Sequence, residues 1–272
     1  MALKIAKKYS IERTPSENSA EKPMRERQMA AYHKALEYVH GRKVLEIGCG
    51  EGIGASILAQ EAASIVAIDY SEEALETAHA RYGGSNIEFR LMKVPPIHFN
   101  DGFFDVVISF QMIEHLEEPD GLVIEMKRTL RDDGTALLAT VNKDEMLSNN
   151  PYHVHEFTPS EFERFVRKHF AYAELFGVFG DELFMQYWEN NRKWVRSVMR
   201  ADIFNLSARL PLRLRKPVYD VANQLMRVFL KQRDPHLCDR ITHRNLIFRP
   251  NQLIGSLDFF AVCSKSLPKM ST

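Results

Sequence analysis

Four glycines alternate with other residues after a short apolar run: Gly48, Gly50, Gly52 and Gly54 in KVLEIGCGEGIG. Glycine tolerates positive φ and lets a ligand approach the backbone closely. A helix starting there also offers unpaired N–H groups. Asp69 ends the next apolar run, IVAID, about 20 residues further on, a place from which a carboxylate can accept both hydroxyls of a ribose. The glycine spacing is not the GxGxxG of dinucleotide sites, and the GK[ST] of a phosphate-binding loop is absent. A further run, FFDVVISF, leads into Gln111 and then Glu114-His115. Imidazole titrates near neutrality, so His115 is a candidate for moving a proton. The alternative is that Glu114-His115 only caps the next helix. His153 and His155 form a second histidine group.

Positioning such groups requires ordered elements at fixed intervals. MRERQMAAYHKALEYVH (24–40) places Met29, Tyr32, Leu36 and Val39 at helical spacing, and Gly41 ends it. Strands are expected at Lys43–Ile47, in IVAID, at 87–92 (IEFRLM), 103–110, 136–141 (ALLATV), 172–179 (YAELFGVF) and 256–265 (SLDFFAVCSK). Helices are expected in IGASILAQEAA, in SEEALETAHARY with Ser71 as N-cap, in EEPDGLVIEMKRTL, and at 158–170 with Thr158 as N-cap and Pro159 next. RDDGT reads as a turn. Strands alternating with helices of this length imply a doubly wound α/β sheet. The organisation read from this is an N-terminal arm (1–23), a core (24–180 and 251–268) and a mainly helical insert (181–250).

Composition narrows the function. The chain has 272 residues, 45% hydrophobic and 26% charged, which argues against disorder. Three unpatterned cysteines support neither a zinc ribbon nor a disulfide framework, and fit a reducing, cytoplasmic setting. No run approaches the roughly 18–20 apolar residues that span a bilayer, and the N-terminus lacks the apolar core of a secretory signal. Lys/Arg and Asp/Glu are both 36, a net charge of zero. Residues 181–250 carry 14 Lys/Arg and 7 Asp/Glu, so the rest carries 22 and 29. The neutral sum is thus a basic insert on an acidic core.

VLEIGCGEG, IVAIDYSEEAL, FDVVISFQMIEHLEEP and LRDDGTALLATVN together resemble the motifs of class I S-adenosylmethionine (SAM)-dependent methyltransferases, over roughly 25–180 and 256–265. Glu12-Arg13, Pro15, Tyr32 and NPYHVHEFT (150–158) are similar to a bacterial group, of the types known as 11 and 23, associated with glycan or lipid-linked sugar modification. The resemblance implies a seven-stranded, mostly parallel Rossmann-like sheet of order 3-2-1-4-5-7-6. It implies that Gly48, Cys49 and Gly50 face the methionine part of SAM, Asp69 the ribose and Tyr70 the adenine. Phe110 and Gln111 would lie beside the sulfonium, and Glu46 would reach the ligand through water or bond the loop. Gly52 and Gly54 would serve helix–sheet packing or ligand contact. Lys93 stands in Leu91-Met92-Lys93-Val94 where the family has an acid, so the adenine is expected to be read by backbone groups around Met92 and Lys93.

Methyl transfer from a sulfonium chiefly needs alignment and exclusion of water. His115, assisted by Glu114, is the expected general base. Small-RNA 2′-O-methyltransferases and ubiquinone-pathway O-methyltransferases resemble this region and carry E-x-x-E-H, which ligates a divalent ion. Here the first acid is Gln111, while His153 occupies the place of a further histidine ligand. The resemblance therefore also implies a metal site at Glu114, His115 and His153, suited to Mn²⁺, Fe²⁺ or Zn²⁺. The alternative is that His153 and His155 shape an acceptor pocket or cap the following helix.

The insert carries Trp188, Trp194, Phe204 and Tyr219, a row of Arg192, Lys193, Arg196 and Arg200, and the basic-apolar RLPLRLRKP (209–217). It is expected to form a lid or acceptor pocket, with an anionic acceptor or a peripheral membrane contact as partner and nucleic acid disfavoured. The expected reaction is O-methylation of a small molecule, sugar or lipid-linked glycan. The alternatives are an RNA-end or nucleoside 2′-O-methyltransferase and a SAM-binding protein that transfers nothing.

Overall fold

The structure is a computed structural model. It describes residues 21–84, 86–148, 150–201 and 235–267, together with Lys216, Tyr219, Val221, Leu225, Met226, Val228 and Phe229. Glu12, Arg13, Pro15, Phe204 and most of 209–217 lie outside these residues, as do the arm before residue 21 and the side chain of Arg200.

In chain order the elements are α1 (Lys22–Val39), β1 (Lys43–Ile47), α2 (Ile53–Leu58), β2 (Ser64–Asp69), α3 (Glu72–Tyr82), β3 (Ile87–Leu91) and β4 (Phe104–Phe110). Then follow α4 (Pro119–Thr129), β5 (Leu130–Val141), α5 (Pro159–His169), β6 (Tyr172–Gly180), α6 (Glu182–Ala201), α7 (Pro235–Arg240), β7 (Leu246–Pro250) and β8 (Asp258–Ser264). The sheet order is β3-β2-β1-β4-β5-β8-β6-β7. The pairs among β1 to β5 are parallel, while β8 is antiparallel to β5 and β6. The α/β class and the relative order of the seven expected strands hold, the last of them being β8.

Three details differ from the sequence reading. An eighth strand, β7, falls at the end of the expected insert and pairs antiparallel with β6. It escapes a pattern search because LIFRP is short, half exposed and ends in proline, properties tolerated at a sheet edge. The helix expected in IGASILAQEAA stops at Leu58. The expected turn RDDGT lies inside β5, where the pairing jumps from Phe104↔Leu130 to Val106↔Thr135 and residues 131–134 bulge out. The Arg131 guanidinium binds Asp105 at 2.5 Å, across that bulge.

Both sheet faces are covered. Val44 joins the core under α1, α2 and α3, whereas Leu45 and Ile47 join the core under α4 and α5. This follows from the two-residue period of a strand. It also aims Glu46 at the α1–α2 face. Local chemistry agrees with the fold where it fixes helix starts: Ser71 accepts from the Ala74 N–H, and Thr158 with Glu161 forms a capping box.

Candidate functional site

The carboxyl ends of β1, β2 and β4 converge on one edge of the sheet. There Gly48 and Gly50 have φ of +80° and +52°. Such a left-handed loop suits glycine, because a Cβ there costs about 1–2 kcal/mol per residue. Asp69 holds the loop: one carboxylate oxygen accepts from the Gly50 N–H (2.9 Å), the other from the Ser71 N–H (2.8 Å). Each oxygen still has capacity to accept a further hydrogen bond. Gly52 and Gly54 face inward instead. A Cβ on Gly52 would lie 2.8 Å from the Phe89 ring, and one on Gly54 only 2.1 Å from the Tyr32 ring. Their role in the fold is close packing of α2.

Above the loop is a cavity of about 520 Å³. It is lined by Gly48, Cys49, Gly50, Asp69, Tyr70, Met92, Lys93, Phe110 and Gln111, and also by His115. Glu46 does not line it. This carboxyl is 1% exposed beneath the loop, and neither oxygen has a hydrogen-bond donor in good geometry. Burial pushes it up to about 7; the nearby Tyr32 hydroxyl opposes this only in part, and Asp69 adds to it. Burial likewise raises the Tyr32 hydroxyl and the Cys49 thiol. Tyr32, Gln28 and Met29 of α1, Met112, and Tyr152 and Val154 of the 150–158 segment complete the wall, with Lys216. Tyr32, Tyr152 and Val154 belong to the motifs already singled out in the sequence, whereas Gln28 carried no signal there.

A second cavity of about 150 Å³ adjoins the first, and Gln28, Gln111 and His115 line both. Gln111 sits at this junction with φ of +51°, an uncommon conformation for a side-chain-bearing residue. Its N–H is held by the Ala139 carbonyl at 2.9 Å. The floor of the second cavity includes a buried ion pair, Arg27 with Asp258, bonded at 2.7 and 2.8 Å. Arg27 also bonds the Leu257 carbonyl and lies 4.7 Å from the centre of the Trp188 ring. The sequence held no sign of this pair, whose members are 231 positions apart.

Glu114, His115 and His153 place one donor atom each within 4.8 Å of one another. The backbone N–H groups of Val154 and His155 both donate to the Glu114 carbonyl, which ties the histidine segment to the turn after β4. His115 Nδ1 is 3.2 Å from the Tyr152 carbonyl, so it is the protonated nitrogen and Nε2 is the basic one. His153 Nδ1 is 2.8 Å from Glu156. Glu114 is 1% exposed and accepts from the Thr140 hydroxyl at 2.9 Å. Oriented imidazoles and a bonded carboxylate are the outer support that metal ligands usually have. His155 is not brought in; it packs edge-on to Phe157. Neither histidine segment caps a helix: α4 begins after Glu118, and α5 is capped by Thr158.

Residues 45–138 match the family model described as a methyltransferase domain. The matched segment lies in a fold shared with S-adenosylmethionine-dependent methyltransferases. The "Probable S-adenosylmethionine-dependent methyltransferase" of Mycolicibacterium smegmatis is 32% identical over 159 residues, covering 56% of this chain and 61% of that protein. The ubiquinone biosynthesis O-methyltransferase of Haemophilus ducreyi is 36% identical over 110 residues, covering 38% of this chain and 47% of that protein. The chain thus spans about half to three fifths of these curated relatives' lengths. A SAM-dependent methyltransferase of Thermotoga maritima shares the fold at a TM-score of 0.57 and 13% identity, covering 90% of this chain and 92% of that one. The matched segment includes the glycine loop, Asp69, the 111–115 turn and most of β5. Among the described residues, no helix is long and apolar enough to cross a membrane.

Proposed function

We propose that this chain transfers a methyl group from SAM to an oxygen of a small acceptor. The observation that carries the reading is the meeting of two cavities at Gln111 and His115, one sized and lined for a nucleoside-bearing cofactor. Bound in the larger cavity, SAM supplies an electrophilic methyl, whose transfer leaves S-adenosylhomocysteine. Gly48, Cys49 and Gly50 would hold its methionine part, Asp69 the ribose hydroxyls, and Tyr70 with the Met92–Lys93 backbone the adenine. Phe110 and Gln111 would close the side nearest the reacting carbon. His115 lines both cavities and its Nδ1 is held by the Tyr152 carbonyl, which supports a role as the general base that removes the acceptor's hydroxyl proton. Residues 181–250 act as the acceptor subdomain, since Trp188, Asn191, Val195, Tyr219 and Met226 line the second cavity.

The Glu114–His115–His153 group favours a second reading of the same chemistry. Two imidazoles and a carboxylate suit Mn²⁺, Fe²⁺ or Zn²⁺, and such an ion would lower the acceptor hydroxyl's pKa in place of proton removal by His115. Labelled-methyl transfer into fractionated small molecules, lipids and RNA tests the proposal. Label recovered in a small-molecule or glycan ether supports it; label only in RNA, or none, refutes it. Excess chelator then separates the readings, since loss of turnover restored by Mn²⁺ selects the metal.

A further inference from the structure

Resting on that reading, the second cavity specifies what the acceptor must look like. Trp188 and Asn191 stand one turn apart on α6, on the same helix face. They are 3% and 4% exposed, and both line this cavity. Among the described residues, the Trp188 indole N–H and the Asn191 Oδ1 make no hydrogen bond. Native proteins rarely leave buried polar atoms unpaired, because each forfeits its bonds to water. One is a donor and the other an acceptor, so a single hydroxyl can satisfy both, accepting from Nε1 and donating to Oδ1.

Val141, Met146, Leu147, Val195 and Met226 give the chamber apolar walls, alongside the uncharged polar side chains of Gln28, Ser148, Asn150 and Tyr219. Its volume of about 150 Å³ matches an apolar cavity that accommodates benzene. Its one guanidinium, Arg27, is already neutralised by two bonds to Asp258. Among the described residues, therefore, no unpaired Lys or Arg faces this space.

We infer that the acceptor is a neutral, single-ring molecule with two polar ends. One end is a hydroxyl held by Trp188 and Asn191. The other is the reacting hydroxyl, placed at the Gln111–His115 opening into the cofactor cavity.

The test uses the whole chain and 4-hydroxybenzyl alcohol as probe, with 4-hydroxybenzenesulfonate as its anionic counterpart. The chain has two tryptophans, so nitrogen-15 correlation spectra show two indole N–H signals, and Trp194→Phe assigns them. Titrations are run with and without S-adenosylhomocysteine, whose own affinity is read by calorimetry. The neutral probe should shift the Trp188 indole signal downfield and saturably while Trp194 stays in place. The sulfonate should bind at least about tenfold more weakly, and Asn191→Leu should weaken the neutral probe by about tenfold with S-adenosylhomocysteine affinity unchanged. A stationary Trp188 signal at the probe's solubility limit, or equal or tighter binding of the sulfonate, overturns the inference. The wild-type titration decides the matter even if Asn191→Leu does not fold. Failure of S-adenosylhomocysteine to bind would instead overturn the cofactor reading, and the probe titration without it would still report on the chamber.

Discussion

Glu46→Gln gives a stability difference whose pH dependence can be worked out in advance. The carboxyl is buried under the glycine loop, and burial raises it from an ordinary 4.5 to about 7. The folded protein therefore holds this proton up to about pH 7, while the unfolded chain releases it near pH 4.5. Between those values the native state binds more protons, so stability falls as pH rises. The favourable contribution is complete below pH 4.5 and lost as pH passes about 7. At 1.36 kcal/mol per tenfold change in proton affinity, the span amounts to about 3 kcal/mol. Glutamine has the shape of the neutral carboxyl and no charge to desolvate. Urea unfolding of both proteins between pH 4.5 and 8.5 should show nearly equal stability at the acid end. The variant should gain on the wild type by up to about 3 kcal/mol at the alkaline end. A difference that stays constant across this range would refute the argument, since it would mean Glu46 is ionised, or neutral, in both states alike.

Other predictions follow from packing and pairing. Gly54→Ala should cost about 1–3 kcal/mol in denaturant unfolding, because its methyl would meet the Tyr32 ring. Asp258→Ala should cost about 3–5 kcal/mol by leaving the Arg27 guanidinium buried and unpaired, whereas Arg27→Met with Asp258→Leu should recover most of that loss. Asp69→Ala removes the acceptor of the Gly50 and Ser71 N–H groups; calorimetry should show S-adenosylhomocysteine affinity lower by about one to two orders of magnitude.

What could be read in advance was whatever is written within a few consecutive residues. The β–α alternation, the caps at Ser71 and Thr158, the glycine loop and the turn after β4 are local, and each predicts its own geometry. Gly48 and Gly52 were alike in the sequence, yet one borders the cavity and the other packs on Phe89. Both have φ near +80°, so the difference lies in their place: Gly48 directly follows β1, whereas Gly52 caps the start of α2. From the resemblance, Glu46 is expected to reach the ligand through water or to bond the loop. The strand's alternation turns it the other way, into the α1–α2 packing. The second cavity was the least legible part. It is assembled from α1, the 141–153 stretch, α6 and Asp258, elements brought together only by the sheet order. β7 was missed for a related reason: an edge strand with one partner shows little of the burial pattern by which strands are recognised.

The central claim is that cofactor and acceptor meet at Gln111 and His115. A crystal structure with S-adenosylhomocysteine tests it most directly. The ribose should bond Asp69, with the sulfur at the opening lined by Gln111 and His115 that leads to the Trp188–Asn191 chamber. A ligand bound outside the 520 Å³ cavity, or within it but with the sulfur turned away from that opening, would contradict the claim.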